Sequence, residues 1–304
     1  MEVLRLKHDS VIQEEGLVLC IGFFDGLHRA HRRLAEATVA LAKAKKRPAA
    51  MMTFSTHVLS FIKNEQFRFL TPLEDKIAYA EGLGFSYFYV LDVDWSLVGQ
   101  DPELFILKFL SAVDTVVVGF DFSFGCRGLG TPELLKHQPG FTTVVFPEMK
   151  DGEDKIGSTG IRNSLKSGDL ATANRLLGNP YSVTGRVVTG KGRGKILGFP
   201  TLNLDYDGYF LPKAGVYATR VKIRGTWYPA MTNVGDNPTF HEHTVTLETH
   251  ALGYSGIAYE EIVTLEFLAF LRDEIRFDSP EALIRQMESD RQTVLERFEK
   301  GLKP

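Results

Sequence analysis

The chain has few cysteines, no large excess of charge and no long apolar run, and each absence excludes a class of protein. Two cysteines in 304 residues provide neither a disulfide framework nor the spacing of a metal site, which favours a reducing compartment. A net charge of −3 argues against bulk electrostatic binding to nucleic acid, since such binding needs many lysine and arginine contacts to phosphates. Local clusters of charge must therefore hold any anionic ligand.

No apolar run approaches the roughly 20 residues of a membrane-spanning helix, and the opening residues MEVLRLKHDS lack the apolar segment of a secretory signal. We therefore expect a cytoplasmic protein with no membrane or nucleic-acid partner. The length indicates two domains. A short helix predicted at Asp169–Leu177 is stopped by Gly178, and we place the domains at 1–182 and 183–304.

The first half of the chain alternates strand-like runs with helical patterns, which predicts an α/β domain with a parallel sheet. Strands are predicted at Leu17–Ile21, Ala49–Phe54, Tyr87–Val93, Thr115–Val118 and Thr142–Phe146, and helices at 31–45, 72–83 and 102–112. Ligands of such sheets bind beyond the carboxyl ends of the strands. Gly22–His31 and Gly119–Gly125 both follow strands, so we expect them to converge on one edge.

The second half changes to alternating strands, which predicts an antiparallel sheet or small barrel. The predicted strands are Tyr181–Val188, Gly215–Ile223, Thr226–Val234, Thr244–Leu252 and Ile262–Phe270. Ser279 followed by Pro280 indicates the start of a final helix. Its apolar stripe, which predicts core packing, consists of Leu283, Ile284, Met287, Val294, Leu295 and Phe298.

The segment GFFDGLHRAHRRL at 22–34 is the first candidate site. A helix N-terminus offers unpaired N–H groups and the positive end of the helix dipole to an anion, and His28 and His31 lie one turn apart beside it. Gly22 and Gly26 permit a tight turn and close approach of the backbone to a ligand. The segment predicts a phosphate-handling site, although surface histidines or half of a metal site fit the same residues.

Two later segments of the first half offer groups that suit a nucleotide. Asp121 lies in GFDFSFG, whose aromatic residues either contact a planar base or pack within a turn. Ser158, Thr159 and Arg162 lie at the start of a helical stretch. Hydroxyls and a guanidinium suit a polyphosphate, and a helix cap with an exposed arginine is the alternative.

A glycine-rich basic loop, GKGRGK at 190–195, is followed by LGFPTLN at 197–203 in the second half. Its N–H groups are able to cradle phosphates, and Thr201 and Asn203 offer hard oxygen ligands for Mg²⁺. The order of a Walker loop is absent, and a plain mobile hairpin is the alternative. Glu248 lies on one face of a predicted strand with Thr246 and His250. There it is either a general base or a solvated charge.

In this order the segments resemble the bifunctional bacterial riboflavin kinase / FAD synthetase family over nearly the whole chain. The family's GxFDGxHxGH is similar to 22–31, its TFxPHP to 53–58 with His57 retained, its GxDFxFG to 119–125, and its SSTRIR to 157–162. In the second half, GxxxGRxLGFPTxN is similar to 190–203, GVYA to 215–218, NxGxxPTF to 233–240 and ExH to 248–250. Arg272 and Phe277 correspond to late arginine and phenylalanine positions of the family.

The resemblance implies a Rossmann-like nucleotidyltransferase domain followed by a six-stranded antiparallel flavokinase barrel with a C-terminal helix. It implies that the barrel phosphorylates riboflavin to FMN with ATP and that the first domain adenylylates FMN to FAD with a second ATP. Implied catalytic residues are Glu248, His28, His31 and Arg162, with Mg²⁺ near Thr201 and Asn203. Implied ligand-binding residues are Gly22, Phe24, Asp25, Gly26, His57, Asp121, Ser158, Thr159, Gly190, Gly192, Gly194, Lys195, Gly198, Pro200 and Arg272.

The chain departs from the family motifs mainly in its first half. Ala30 replaces the glycine between the histidines, Gly160 replaces an arginine, and Asn237 replaces the arginine before Pro-Thr-Phe. Around His57, the acidic-Pro and Pro positions are taken by Ser55-Thr56 and Val58. Three hypotheses follow. The chain is an enzyme with both activities, an enzyme that has lost one of them, or an inactive flavin-binding regulatory protein. In the second case, the departures point to the adenylyltransferase as the lost activity.

Overall fold

The computed structural model describes residues 1–190, 194, 197–237 and 244–301. The chain forms two compact units, which divide after Ser158. Over these described residues, no helix is both long and apolar enough to cross a membrane.

The first unit is built on a six-stranded sheet with the order β1-β4-β3-β2-β5-β6. Its strands are β1 (Glu2–Leu6), β2 (Leu17–Ile21), β3 (Ala49–Phe54), β4 (Tyr87–Leu91), β5 (Val113–Gly119) and β6 (Thr142–Phe146). All neighbouring strands pair in parallel. Every residue of β2 is buried, as expected for a central strand covered on both faces. The order changes direction between β2 and β5, and ligands of open α/β sheets bind at such a switch point.

Helices connect the strands of this sheet and cover both of its faces. They are α1 (Arg29–Lys45), α2 (Val58–Ile62), α3 (Leu73–Leu83), α4 (Trp95–Val98), α5 (Pro102–Phe109) and α6 (Pro132–Lys136). A short hairpin, β7 (Lys150–Asp151) and β8 (Asp154–Lys155), follows β6. Two apolar clusters, one against each face, form the core.

The second unit contains a closed barrel with the strand order β10-β13-β12-β11-β14-β9. Its strands are β9 (Tyr181–Val188), β10 (Leu202–Asp205), β11 (Gly215–Ile223), β12 (Thr226–Asn237), β13 (Thr244–Ala251) and β14 (Ile262–Arg272). Each pairs with its neighbours in antiparallel fashion, and β9 closes the barrel against β10. The barrel is accompanied by the helices α7 (Ser158–Ser167), α8 (Leu170–Leu177) and α9 (Pro280–Glu299).

Buried hydroxyls run across the interior of the barrel. Thr232 on β12 lies 2.7 Å from the Thr219 hydroxyl of β11 and 3.0 Å from the Thr249 hydroxyl of β13. Thr219 also donates to the carbonyl of Ala230. Each hydroxyl therefore has a partner, which removes the cost of burying it in the apolar interior.

Helix α9 covers part of the outer wall of the barrel. Val294, Met287 and Phe298 of the predicted apolar stripe pack with Val216 and Met231 of the wall. The helix begins as predicted, because the Ser279 hydroxyl accepts a hydrogen bond from the N–H of Ala282.

An ion pair fixes α9 to the end of β14. The guanidinium of Arg272 donates to both carboxylate oxygens of Asp290, the shortest contact being 2.6 Å. The Asp290 side chain is 7% exposed. We expect Asp290→Ala to destabilise this unit by about 2–3 kcal/mol, because it leaves a largely buried guanidinium without its carboxylate.

Urea unfolding checks this expectation in a Trp95→Phe background, where Trp227 of the barrel is the single tryptophan reporter. Glu288→Ala is the matched control, because Glu288 lies on the same helix and pairs with Arg291 at the exposed surface, where ion pairs contribute little. Equal unfolding midpoints for the two variants would contradict the role given to Asp290.

The architecture predicted for both halves is confirmed, but several elements end elsewhere than predicted. The helix predicted at 102–112 ends at Phe109, since β5 begins four residues later. The strand predicted at Thr115–Val118 extends over Val113–Gly119, and β12 continues beyond Val234 to Asn237. Strands β1, β7, β8 and β10 and helices α2, α4 and α6 were not predicted.

Candidate functional site

The loop between β2 and α1 is held by side chains from several elements of the first unit. The carbonyl of Phe23 accepts hydrogen bonds from the Thr53 hydroxyl at 3.0 Å and from the Lys76 ammonium at 2.7 Å. The carbonyl of Asp25 accepts a 2.7 Å bond from the Ser158 hydroxyl. These three donors fix the Phe23–Phe24 and Asp25–Gly26 peptide groups.

Two residues of this loop other than glycine have a left-handed backbone. Phe24 has φ = 52° and Leu27 has φ = 41°; such conformations cost about 1–3 kcal/mol each and persist only where the surrounding structure imposes them. The ring of Phe24 is fully buried and would lie 3.2 Å from a Cβ at Gly22. Phe24 therefore supports the loop from the core, and Gly26, with φ = 92°, continues the turn.

Asp25 connects the loop to the segment that precedes α3. Its carboxylate accepts hydrogen bonds from the backbone N–H groups of Leu70, at 2.8 Å, and Thr71, at 3.2 Å. The residue is almost fully buried. This carboxylate helps to shape the loop, and the ligand contact predicted for Asp25 stays a prediction.

His28 and His31 form a stacked pair at the start of α1. Their ring centroids are 3.6 Å apart with an interplanar angle of 17°. His28 caps the helix, since its Nδ1 accepts from the N–H of His31 at 3.4 Å. An accepting Nδ1 assigns the proton of a neutral His28 ring to Nε2. The Nδ1 of His31 is buried with no hydrogen-bond partner among the described residues.

Both imidazoles are held in the neutral form. Burial lowers the pKa of His28 to about 4, partly opposed by the nearby Asp121 carboxylate. Burial also lowers the pKa of His31 well below its usual range, and electrostatic interactions with His28 and Lys76 lower it further. Neutral rings that donate N–H groups are suited to phosphate oxygens.

Asp121 lies beyond the end of β5, the neighbour of β2, as the sequence predicted for the two loops. Its carboxylate accepts from Lys155 of the β7–β8 hairpin at 2.8 Å. Phe122 and Phe124 of the same loop stack on each other at 5.6 Å and pack against the core. Of the two interpretations left open for these aromatic residues, the structure shows packing.

An aromatic cluster, defined here as Phe23, His57, Phe67 and Phe69, borders the β2–α1 loop. The ring of His57 stacks on Phe67 at 4.8 Å and meets Phe23 edge-on at 5.3 Å. The Nδ1 of His57 lies 3.3 Å from the Ser60 hydroxyl. The structure therefore brings His57 to the loop that carries the two stacked histidines.

The remaining predicted residues of this half lie at the start of α7. Ser158 contacts the loop as described above, and Arg162 stacks over the ring of Phe210 at 4.8 Å within the second unit. The ligand contacts predicted for Thr159 and Arg162 stay predictions. Two of the departures lie in first turns of helices, Ala30 in α1 and Gly160 in α7.

In the second unit, Glu248 lies between two asparagines on the outer wall of the barrel. It is directly opposite Asn203 of β10 and Asn233 of β12 in the strand register. Opposed residues of antiparallel strands project to the same face. Because Thr249 points into the interior hydroxyl network, its neighbour Glu248 projects outward. From the sequence, Asn233 was named only as the first residue of the NxGxxPTF motif.

Two glycines lie close to the predicted Mg²⁺ ligands. A Cβ at Gly190 would lie 2.7 Å from Oδ1 of Asn203, and a Cβ at Gly194 would lie 3.3 Å from the Thr201 hydroxyl. Only glycine permits this close approach. The residues Gly192 and Lys195, which the sequence also offered as phosphate-binding, lie outside the described residues.

The segment that carries Gly198 and Pro200 is anchored at both ends. Phe199 is buried in the cluster beneath α9, and the carbonyl of Pro200 lies 2.7 Å from Nδ1 of His250. Gly198 has φ = 86°, which favours glycine. These contacts position Thr201 at the start of β10. Arg272, predicted to bind ligand, is paired with Asp290, and Glu274 beyond it reaches the amide of Asn233 at 3.5 Å.

Lys76 is the residue of the first site that sequence reasoning missed. It lies on α3 and is 1% exposed. A lysine in the middle of a helix is ordinarily solvated. The available signal was its position within the stripe of Leu73, Ile77 and Ala80, whose spacing marks the buried face of the helix.

Comparison with known proteins matches each unit to its own family model. The FAD synthetase model matches residues 11–160 and the riboflavin kinase model matches residues 177–298. A bifunctional riboflavin kinase/FMN adenylyltransferase of Listeria monocytogenes is 36% identical over 99% of both chains. One of Bacillus subtilis is 33% identical over 98% of both. A crystal structure described as a macrolide-efflux protein from Streptococcus pneumoniae has a TM-score of 0.86 and 28% identity, covering 97% of this chain and 99% of its own.

The first unit has a parallel sheet with two paired imidazoles at its switch point, and the second has a barrel with a carboxylate between two asparagines. Together with the two family models, these features define an ATP-dependent transferase with two units. The matches over nearly the full length make the family specific. The chain belongs to the bifunctional riboflavin kinase/FMN adenylyltransferase family.

Proposed function

We propose that this chain converts riboflavin to FMN and FMN to FAD, with ATP as the second substrate of both reactions. The kinase reaction is assigned to residues 183–304 and the adenylyl transfer to residues 1–182. The observation that carries the proposal is that each unit has its own set of polar groups suited to phosphate chemistry: the stacked His28 and His31 in one, and Glu248 between asparagines in the other.

In the kinase reaction, Glu248 acts as the general base. Its carboxylate accepts the proton of the ribityl 5′-hydroxyl as that oxygen bonds to the γ-phosphorus of ATP and the bond to the β-phosphate oxygen breaks, releasing ADP. Asn203 and Asn233 flank the carboxylate across the strand register. Such a reaction depends on positioning and charge stabilisation more than on a covalent intermediate.

Mg²⁺ is the proposed metal of this unit, held by Thr201 and Asn203. These residues fit the ion, because both offer neutral oxygen ligands of the kind that Mg²⁺ accepts beside substrate phosphates. When bound, the ion supplies positive charge for the triphosphate. Gly190 and Gly194 stay the proposed phosphate-contacting glycines, and Arg272 a proposed ligand-binding residue.

In the adenylyl transfer, a phosphate oxygen of FMN bonds to the α-phosphorus of ATP and pyrophosphate leaves. His28 donates from Nε2 to the triphosphate, and the backbone at Gly22 and Gly26 admits it close to the helix start. His31, Ser158, Thr159 and Arg162 complete the proposed contacts, with Asp121 and His57 at the border of the site. Because the pKa values of both imidazoles are lowered, both rings are already neutral when ATP binds.

Incubation of the purified chain with riboflavin, ATP and Mg²⁺ tests the proposal. We expect chromatography to show FMN first and FAD later, with both products absent when EDTA removes the divalent cation. FMN that accumulates without FAD would show a kinase alone, and this outcome would implicate Ala30 and Gly160. Tight binding of flavin without any product would show the binding protein instead. A cytoplasmic location is part of the same proposal.

A further inference from the structure

Lys76 is a buried ammonium whose contacts among the described residues are a carbonyl oxygen and two aromatic rings. Burial of a lysine is costly unless its charge is partnered. Here Nζ donates to the Phe23 carbonyl at 2.7 Å and lies 4.3 Å from the centroid of the Phe23 ring and 5.4 Å from that of Phe69. The charge of Asp25 acts in its favour, although burial still lowers the pKa of Lys76 to about 8.

The position of this ammonium couples α3 to the β2–α1 loop. The carbonyl that it binds belongs to the peptide group immediately before Phe24, whose backbone is left-handed. The second donor to the same carbonyl is the neutral hydroxyl of Thr53. One peptide group is therefore fixed by two donors that differ in charge, four residues before the cap of α1 at His28.

We propose that Lys76 is a positioning residue of the adenylyl-transfer site, whose ammonium fixes the Phe23–Phe24 peptide and thereby the placement of the stacked His28 and His31 against the triphosphate. This inference rests on the function proposed for the first unit. Its charge has a second effect, because it disfavours protonation of the neighbouring His31.

The charges that act on this pair come from several elements. His31 faces His28 on its own helix and Lys76 on α3, and Asp25 of the loop lies close to Lys76. His28 is further influenced by Asp121 beyond β5 and by Lys155 of the β7–β8 hairpin. Removal of the ammonium takes away a positive charge that disfavours protonation of His31, so protonation of His31 becomes easier.

The test measures kcat and KM for FAD formation from supplied FMN and ATP across pH. For Lys76→Met, which keeps the length and removes the charge, we expect kcat to fall about a hundredfold, the scale of a displaced catalytic group, and the acidic limb of the profile to move to higher pH. The matched control is Thr53→Val, which removes the neutral donor to the same carbonyl. It is expected to lower kcat less and to leave the acidic limb in place.

FMN formation by the second unit reports, in each variant, that the rest of the chain is intact. If Lys76→Met does not fold, Lys76→Arg keeps the charge with a different geometry, and we expect a lower kcat with the acidic limb at the wild-type pH. Wild-type kcat in either folded Lys76 variant, or an unmoved limb in Lys76→Met, overturns the inference. Absence of FAD formation in the wild-type chain instead overturns the proposed function of the first unit.

Discussion

Glu248→Gln is expected to lower FMN formation by about two to four orders of magnitude, the range that a positioned general base contributes. Glutamine keeps the size of the side chain and one of its two oxygens, but it cannot accept the proton of the ribityl hydroxyl. The barrel should remain folded, because Glu248 projects outward from the wall. Initial rates of FMN formation from riboflavin and ATP measure the effect.

Two comparisons make the result specific to Glu248. FAD formation from supplied FMN should continue in the Glu248→Gln variant, since that reaction is assigned to the other unit. Glu266→Gln is the matched control, because Glu266 is also a strand carboxylate of the barrel but already pairs with Arg220. A loss of FMN formation in both variants would mean that the barrel is damaged rather than deprived of a base.

His28→Asn is expected to lower FAD formation by about 100-fold to 1,000-fold, the effect of removing one preorganised donor from a developing charge. Asparagine is a good helix cap, so its side-chain oxygen is able to replace Nδ1 of His28 as the acceptor for the N–H of His31. Asparagine has no N–H donor that extends as far from the helix as Nε2 of His28. The variant thus removes the donor and retains the cap.

The assay supplies FMN and ATP and follows FAD, with FMN formation from riboflavin as the internal standard. His137→Asn is the matched control, because His137 is an imidazole of the same unit whose side chain is 73% exposed. FAD formation at the wild-type rate in His28→Asn would remove the stacked pair from the mechanism. Loss of both activities would point to misfolding.

The periodic elements of the fold could be predicted from the sequence, because their patterns report burial directly. The predicted bounds of β2, β3, β9 and β11 agree with the structure, and Ser279 begins α9 as predicted. Strand β1 was missed because its residues are largely exposed, and it pairs only at the edge of the sheet. Strand β10 was missed because its four residues follow a glycine-rich loop that gives no alternation.

The candidate sites were predicted in outline from residues that are close in sequence. His28 and His31 are neighbours along the chain, and helix periodicity was enough to pair them. Contacts across long distances were not accessible: the Thr53 and Lys76 bonds to one carbonyl join three elements, and the asparagines flanking Glu248 depend on strand register. Register and loop closure are set by tertiary packing, which a single sequence does not display.

The domain boundary predicted at 182 stays a prediction. The two family models leave residues 161–176 unmatched, and these residues belong to the compact unit that contains the barrel. Within that unit, the backbone of Lys213 bonds to Leu165 of α7, and Asn174 of α8 bonds to Phe267 of β14. Helices α7 and α8 therefore contribute to the stability of the second unit whichever activity they serve.

The interior of the barrel has a consequence for how substrates reach it. Threonine hydroxyls bonded in series and the edge-to-face rings of Tyr217 and Phe267 occupy the interior of the barrel, as side chains do in other small barrels. A tricyclic ring cannot thread such a cylinder. Flavin selectivity must be set by the external surface and its flanking loops, so that evolution is able to retune ligand preference there without repacking the centre.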